Sequence, residues 1–282
     1  MTAAARIDAH HHVWDLGVRD QAWTAGLPAL RRSFSLDDLR PSMAAHRIDA
    51  TVLVQTVCVP EETIELLELA TREPQVAGVV GWVELSAPTL SETLARLKAG
   101  PGGGRLVGIR HQVQEEPDPS FLKRREVRRG LRAVAEAGLV YELLVRERQL
   151  NAAVDVTRAL PELRFVLDHA AKPEVDSLPT DGWTRAIESL AALPNVVVKL
   201  SGLTSEAPSG WTLEMLRPFA DTLLSRFGPK RLMFGSDWPV CILGGGYDVT
   251  IAATEALTQH CDESERRAMF GGVAVETYGL RL

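Results

Sequence analysis

The chain has 282 residues and a formal net charge of −6, with 45% hydrophobic and 24% charged residues. That balance supports a sizeable core and gives no reason to expect a nucleic acid or another polyanion as partner. No apolar run approaches the roughly 20 residues of a membrane span, and the chain does not open on a basic segment followed by an apolar stretch, so neither a membrane partner nor a signal peptide is expected.

The three cysteines, Cys58, Cys241 and Cys261, are odd in number and widely spaced, which argues against a disulfide framework and for a reducing cytoplasm. None sits in a CxxC pair, so a thiolate zinc site is not expected. The basic run Lys123–Arg129 contains Glu126 and reads as a solvated helix face.

Short apolar runs alternate with longer helical ones along the whole chain. The strand candidates are 6–12, 50–56, 76–85, 106–113, 139–145, 164–169, 196–200 and 231–237. Most are continuously apolar rather than alternating, as parallel strands covered by helices are. Helical patterns follow at 61–70, 91–98 and 126–137, the last closed by Gly138. Others run over 149–160, which stops before Pro161, over 181–193 before Pro194, and over 213–227 before Gly228-Pro229; 250–260 and 262–270 complete the set. The units recur about every 30 residues, the size of a βαβ unit. The expectation is an α/β protein forming a single (β/α)8 TIM barrel over residues 1–282, since such barrels need roughly 250 residues. An open doubly wound sheet would want a glycine-rich phosphate loop after its first strand. The sequence there is Asp8-Ala9-His10-His11-His12.

In a barrel the active site lies at the C-terminal ends of the strands. Strand one ends in His10-His11-His12. Alternation puts His10 and His12 on the same side, able to reach one metal ion at the barrel mouth, and turns His11 toward the helices. Strand four ends in Arg110-His111-Gln112, polar groups inside an apolar run that are costly unless paired or functional. Strand five carries Glu142, which is either an internal ion pair with Arg110 or part of the site. Strand six ends in Asp168-His169; alternation allows only one of them to face the axis, and His169 is the candidate, with Asp168 supporting it. Lys199 on strand seven either reaches out to solvent along its aliphatic stem or binds substrate. Asp237 ends strand eight between glycine and proline. His46 and His260 fall on or near helices and read as surface residues, while Trp14, Trp23 and Trp238 fall on loops that can line a pocket.

These motifs resemble the amidohydrolase-related TIM-barrel family, and within it the sugar-acid lactonases of the L-fuconolactonase and L-rhamnonolactonase types. The matching segments are Ile7-Asp8-Ala9-His10-His11-His12, Val52-Leu53-Val54-Gln55, Gly81-Trp82-Val83-Glu84-Leu85 and Gly108-Ile109-Arg110-His111, then Leu167 to Pro173, Lys199 to Leu203 and Phe234 to Pro239. The resemblance implies that His10 and His12 are the first-strand metal pair. It matches His169 to the sixth-strand histidine, and Asp237 to the aspartate that binds metal and activates water. The chain departs from the two-metal pattern of the wider superfamily: strand four offers Arg110 and His111 instead of a bridging lysine, and strand five offers Glu142 instead of histidine. That implies one divalent ion per chain, or none, instead of two; the expectation is a single zinc or manganese held by His10, His12 and Asp237 with His169 or Glu142 nearby.

The expected reaction is hydrolysis of a neutral sugar-acid lactone, an aldono-1,4-lactone, to the open hydroxy acid. Asp237 passes the water's proton to the leaving alkoxide, Arg110 or His111 polarises the carbonyl, and Gln55, Lys172 and Trp238 orient hydroxyls. The alternatives are a dicarboxylate or muconolactone-type lactonase, a metal-dependent decarboxylase of the same branch, and a catalytically dead barrel that binds a ligand or partner. The set His10, His12, His169 and Asp237 argues against the last.

Overall fold

The computed structural model describes residues 5–282. Among these, the strands are β1 (Ile7–His11), β2 (Ala50–Val54), β3 (Val76–Gly81), β4 (Leu106–His111), β5 (Val140–Leu143), β6 (Phe165–Leu167), β7 (Val196–Leu200) and β8 (Leu232–Phe234). They form one parallel sheet in the order β1 to β8. The ring closes where the segment after β8 meets β1: Asp237 N donates to His10 O at 2.8 Å and His12 N to Trp238 O at 2.7 Å. The fold is therefore a single (β/α)8 TIM barrel, as the alternation of apolar and helical runs predicts.

The helices are α1 (Leu36–Ala45), α2 (Pro60–Arg72), α3 (Leu90–Ala99), α4 (Arg125–Glu136), α5 (Leu150–Ala159) and α6 (Asp181–Ala191). After them come α7 (Leu203–Glu206), α8 (Leu213–Phe227), α9 (Tyr247–Leu257), α10 (Glu263–Arg267) and α11 (Val273–Tyr278). Helix α1 is missing from the sequence-based expectation. It carries Pro41 in its interior and charged residues at Asp37, Asp38 and Arg40, and a capping box between Ser35 and Asp38 starts it. No helix among the described residues is long and apolar enough to cross a membrane.

Two apolar clusters share the strands. The larger lies between strands and helices and takes Leu53, Ile109, Tyr141, Leu167 and Val198. The smaller fills the barrel axis with Ile7, Ala9, Val52, Val54, Val140, Val166 and Met233, and α11 closes it from below through Val273, Ala274 and Tyr278. This alternation fixes which residues of each strand look inward. On β1 it is reset by a bulge: Asp8 pairs with Thr51 and His11 with Leu53, three residues against two. Ile7 and Ala9 line the apolar axis, and the extra residue lets His10 and His12 also turn in above them.

Candidate active site

His10, His12, His169 and Asp237 converge at the C-terminal mouth. Asp237 Oδ1 lies 3.6 Å from His10 Nε2, 3.3 Å from His12 Nε2 and 3.8 Å from His169 Nε2. The two strand-one imidazoles are 3.1 Å apart, Nε2 to Nε2. His11 turns the other way, as expected, and meets Thr51 Oγ1 at 2.9 Å.

Backbone strain places two of these groups. Strand β6 stops at Leu167, and His169, Ala170, Ala171 and Lys172 all have positive φ, as has Asp237 at φ 56. Non-glycine residues seldom adopt this region, and such strain collects at functional sites. Once the chain leaves the strand, alternation no longer applies. Asp168 and His169 therefore both face the axis, where the sequence pattern allowed only one. Glycines make the room: a Cβ on Gly235 would lie 2.7 Å from His10 Cβ, and one on Gly202 would lie 2.6 Å from His169 Cβ.

Beneath the cluster lies a buried charged network. Arg110 Nη1 donates to Asp168 Oδ2 at 3.0 Å and lies 3.2 Å from His10 Nε2. Gln55 O and Oε1 both accept from Arg110 Nη2. Lys199 Nζ lies 2.6 Å from Glu142 Oε1, 3.1 Å from Asp168 Oδ1 and 2.9 Å from His10 Nδ1. Tyr278 of α11 donates to Glu142 Oε1. The expected Arg110–Glu142 pair is not formed; each takes a different partner. Lys199 does not reach solvent: it is fully buried and points down the axis.

Burial alone would raise the Asp237 carboxyl, but the His169, His12 and His10 imidazoles outweigh it and hold it below the usual carboxylate range. Burial lowers His10, helped by Lys199, and lowers His169 to about 4. Burial thus favours the neutral imidazole, the form that ligates metals. Asp168 is also raised by burial and more strongly lowered by Lys199, His10 and Arg110, whereas Glu142 is pushed up by burial and by the charge of Asp168.

The donor set fits a divalent ion. His12 Nδ1 meets the Val54 carbonyl at 2.7 Å. A carbonyl only accepts, so the proton sits on Nδ1 and the Nε2 lone pair faces Asp237 and His10. Two acceptors facing each other at 3.3 Å repel unless a cation lies between them. Tetrahedral zinc with bonds of 2.0–2.1 Å sets its ligands roughly 3.3 Å apart, and the separations of 3.1, 3.3 and 3.6 Å within His10, His12 and Asp237 bracket that value. Among the described residues, His10, His12 and Asp237 form one group able to hold a metal, and His10, Asp168 and His169 another. Glu142 belongs to neither; Lys199 and Tyr278 occupy it deeper in the barrel.

Above the cluster opens a cavity of about 350 Å³. Its lining includes His12, Arg110, His169, Lys172 and Asp237. Three expected substrate contacts do not reach it. Gln55 is buried and occupied with Arg110. His111, one residue beyond inward-facing Arg110, turns out between Trp82 and Glu116 and stacks on Phe121. Trp238 is buried against Phe34. Trp23 reaches the cavity, and Trp14 does not. Gln112 of the strand-four motif lines the wall too, and residues the sequence did not single out complete it: Thr56, Gln114, Arg146, Ser205 and Glu206. Glu206 accepts from Lys172 Nζ at 2.9 Å and lies 3.4 Å from Arg146. They sit on loops and single short turns beyond the strands, Ser205 and Glu206 on the one-turn α7, where no periodicity marks them. The one available signal was their place just beyond strand ends.

A closed α/β barrel with imidazole and carboxylate donors converging at its C-terminal mouth defines a barrel enzyme with a metal-ligand donor set. The amidohydrolase family model matches residues 7–280, and the chain belongs to that family. It is 39% identical to the L-fucono-1,5-lactonase of Burkholderia multivorans, over 98% of this chain and 97% of that protein. It is 37% identical to the L-fucono-1,5-lactonase of Burkholderia ambifaria, over 98% and 96%. A crystal structure of a Burkholderia multivorans amidohydrolase with bound zinc has a TM-score of 0.92 to it at 39% identity, covering 99% of this chain and 100% of that one.

Proposed function

We propose that this protein opens a six-membered sugar-acid lactone, an aldono-1,5-lactone, to the hydroxy acid with the help of one divalent ion. The coarse assignment is firm: the chain is a lactone-hydrolysing enzyme acting on a carboxylic ester bond, given its match to two lactonases over nearly its whole length. The ring size is our inference from those relatives. The sequence alone pointed to a five-membered ring. The observation that carries the metal reading is the convergence of His12 Nε2, His10 Nε2 and Asp237 Oδ1 on one point under the cavity.

His10, His12 and Asp237 would hold a divalent ion, zinc before manganese, which would supply a water of lowered pKa and polarise a carbonyl oxygen. The chain's own groups do the rest. All three imidazoles face Asp237 Oδ1, which leaves Oδ2 to take the proton of the attacking water. As the acyl carbon–ring oxygen bond breaks, that proton passes to the leaving alkoxide. Arg110, fixed by Asp168 and Gln55, presents its guanidinium to the developing oxyanion. His169, held by Ser201 through Nδ1, aims Nε2 into the same space. Hydroxyls of the sugar meet Gln112, Gln114, Arg146 and the Lys172–Glu206 pair.

The test is proton release followed with a pH indicator over a panel of aldonolactones in both ring sizes. Opening of a 1,5-lactone with little action on its 1,4-isomer is the expected result. Preference for the 1,4-isomers would return the ring size to five. No lactone opening, with carbon dioxide released from an unsaturated acid, would overturn the assignment.

A further inference from the structure

Segments beyond three neighbouring strands bring three charged side chains to one side of the cavity. Arg146 follows β5, Lys172 follows β6, and Glu206 ends α7, which follows β7. Glu206 divides its carboxylate between the other two: Oε1 lies 2.9 Å from Lys172 Nζ, and Oε2 lies 3.4 Å from Arg146 Nη1. Among the described residues, neither cation pairs with another carboxylate. Glu115, a second carboxylate on this rim, is exposed and pairs with neither.

The arrangement is built into the site. Lys172 has φ 49 and ends the left-handed run that begins at His169, so one strained turn aims both His169 and Lys172. Gly202, which leaves room for the His169 ring, also starts α7: its carbonyl accepts from Ser205 N at 3.1 Å and from Glu206 N at 2.9 Å. The Lys172 and Glu206 side chains are only 14% and 18% exposed. Solvent ions screen a pair so placed much less than one on open surface.

A carboxylate facing both an ammonium and a guanidinium has the surroundings that an anionic ligand would seek. Resting on the lactonase reading above, we infer that Glu206 occupies, with its own carboxylate, an anion-binding site formed by Lys172 and Arg146, and that this residue sets the enzyme against lactones carrying a second ionised group. An incoming carboxylate meets a lysine already taken and a like charge in its way. A hydroxyl meets neither obstacle, because it can donate to Glu206 and accept from Lys172. Selectivity of this kind comes from a group that repels the wrong ligand as well as from groups that hold the right one. With Glu206 neutral, Lys172 and Arg146 face the cavity unpaired, and the advantage passes to a substrate that brings its own carboxylate.

The test compares kcat/KM for L-galactono-1,5-lactone and galactaro-1,5-lactone, which carry hydroxymethyl and carboxylate at the same ring carbon. Wild type should favour the neutral compound. Glu206→Gln keeps the size and removes the charge. It should move the ratio toward the carboxylated compound by roughly 10- to 100-fold, the worth of one hydrogen bond to a charged group. That gain should shrink as salt rises, because the freed cations are partly exposed. It should vanish when Lys172→Gln and Arg146→Gln are added. Glu206→Ala frees the same two cations and stands in if the glutamine variant does not fold. A ratio unchanged in both Glu206 variants, or a gain that survives loss of both cations, overturns the inference. So does a wild type that opens the two compounds equally well. Calorimetric binding of the galactarate dianion decides independently of turnover: it should be tighter in Glu206→Gln than in wild type and weaken again when the cations are removed. A wild type that opens no lactone overturns the lactonase reading. The galactarate comparison then judges the anion site alone, and equal binding by wild type and Glu206→Gln overturns it.

Discussion

Lys199 Nζ lies 2.6 Å from Glu142 Oε1 with both side chains wholly buried. The same ammonium touches Asp168 and His10, so one cation ties two carboxylates to the floor of the site. Removing one member of a buried pair leaves an uncompensated charge and costs about 3–5 kcal/mol. Lys199→Met should therefore destabilise the protein by that amount in urea unfolding. The double variant Lys199→Met with Glu142→Gln should recover part of the loss. A single variant as stable as wild type would show that Glu142 does not depend on Lys199 in the folded state.

Stability should fall in mild acid, in part because of a histidine outside the site. His11 is buried, bonded through Nε2 to Thr51, and its Nδ1 has no partner. Burial lowers its pKa from 6.5 to about 3. The unfolded chain then binds a proton between pH 6.5 and 3 that the folded one refuses. The contribution is fully present above 6.5 and is lost as pH falls through that window, by about 1.4 kcal/mol per pH unit. Asp8 works in the opposite sense, because burial raises it to about 6 and the folded state takes its proton first. His11→Gln should flatten the fall in unfolding free energy between pH 6.5 and 4. An unchanged slope would mean that His11 is already protonated in the folded protein.

Metal removal should abolish lactone opening without unfolding the barrel, because the charged network below the site pairs its own groups and the apolar layer of the axis is closed by α11. Elemental analysis of protein purified without added metal should find one zinc per chain. A chelator should remove ion and activity in step, and added zinc should restore both. His12→Ala removes one of three donors and should give protein that no longer retains the ion. Metal-free protein with full turnover would leave Asp237 as an unaided base.

Much of this was legible in the sequence, and the exceptions have physical causes. Continuous apolar runs located the eight strands because a parallel sheet covered by helices has no polar face. Alternation separated His11 from His10 and His12, although the bulge that lets His10 and His12 sit above Ile7 and Ala9 leaves no mark in the pattern. It failed at Asp168 and His169 because the backbone turns left-handed there. The inward direction of Lys199 was readable from Val198 and Leu200 on either side, which pack outward. Its partner was not, since Glu142 lies 57 residues away and only the register of the barrel joins them. Helix α1 hid behind Pro41, and the polar wall at Gln114, Arg146 and Glu206 hid in the short segments beyond β4, β5 and β7.

The most direct test of mechanism is Asp237→Asn. Asp237 has φ 56, a left-handed conformation that asparagine tolerates better than other side chains, so the backbone should hold. The substitution keeps the volume of a side chain only 4% exposed and removes the charge that the three imidazoles surround. An amide neither accepts the water's proton nor balances a bound cation. Loss of an acid–base group costs roughly 100- to 10,000-fold in rate, and weakened metal retention should push the loss toward the upper end. The melting temperature should stay near that of metal-free wild type. Two measurements separate the contributions: zinc content, and turnover at saturating zinc. Turnover within tenfold of wild type at full zinc occupancy would show that another group moves the proton, and His169, 3.8 Å away across the same space, would be the next residue to substitute.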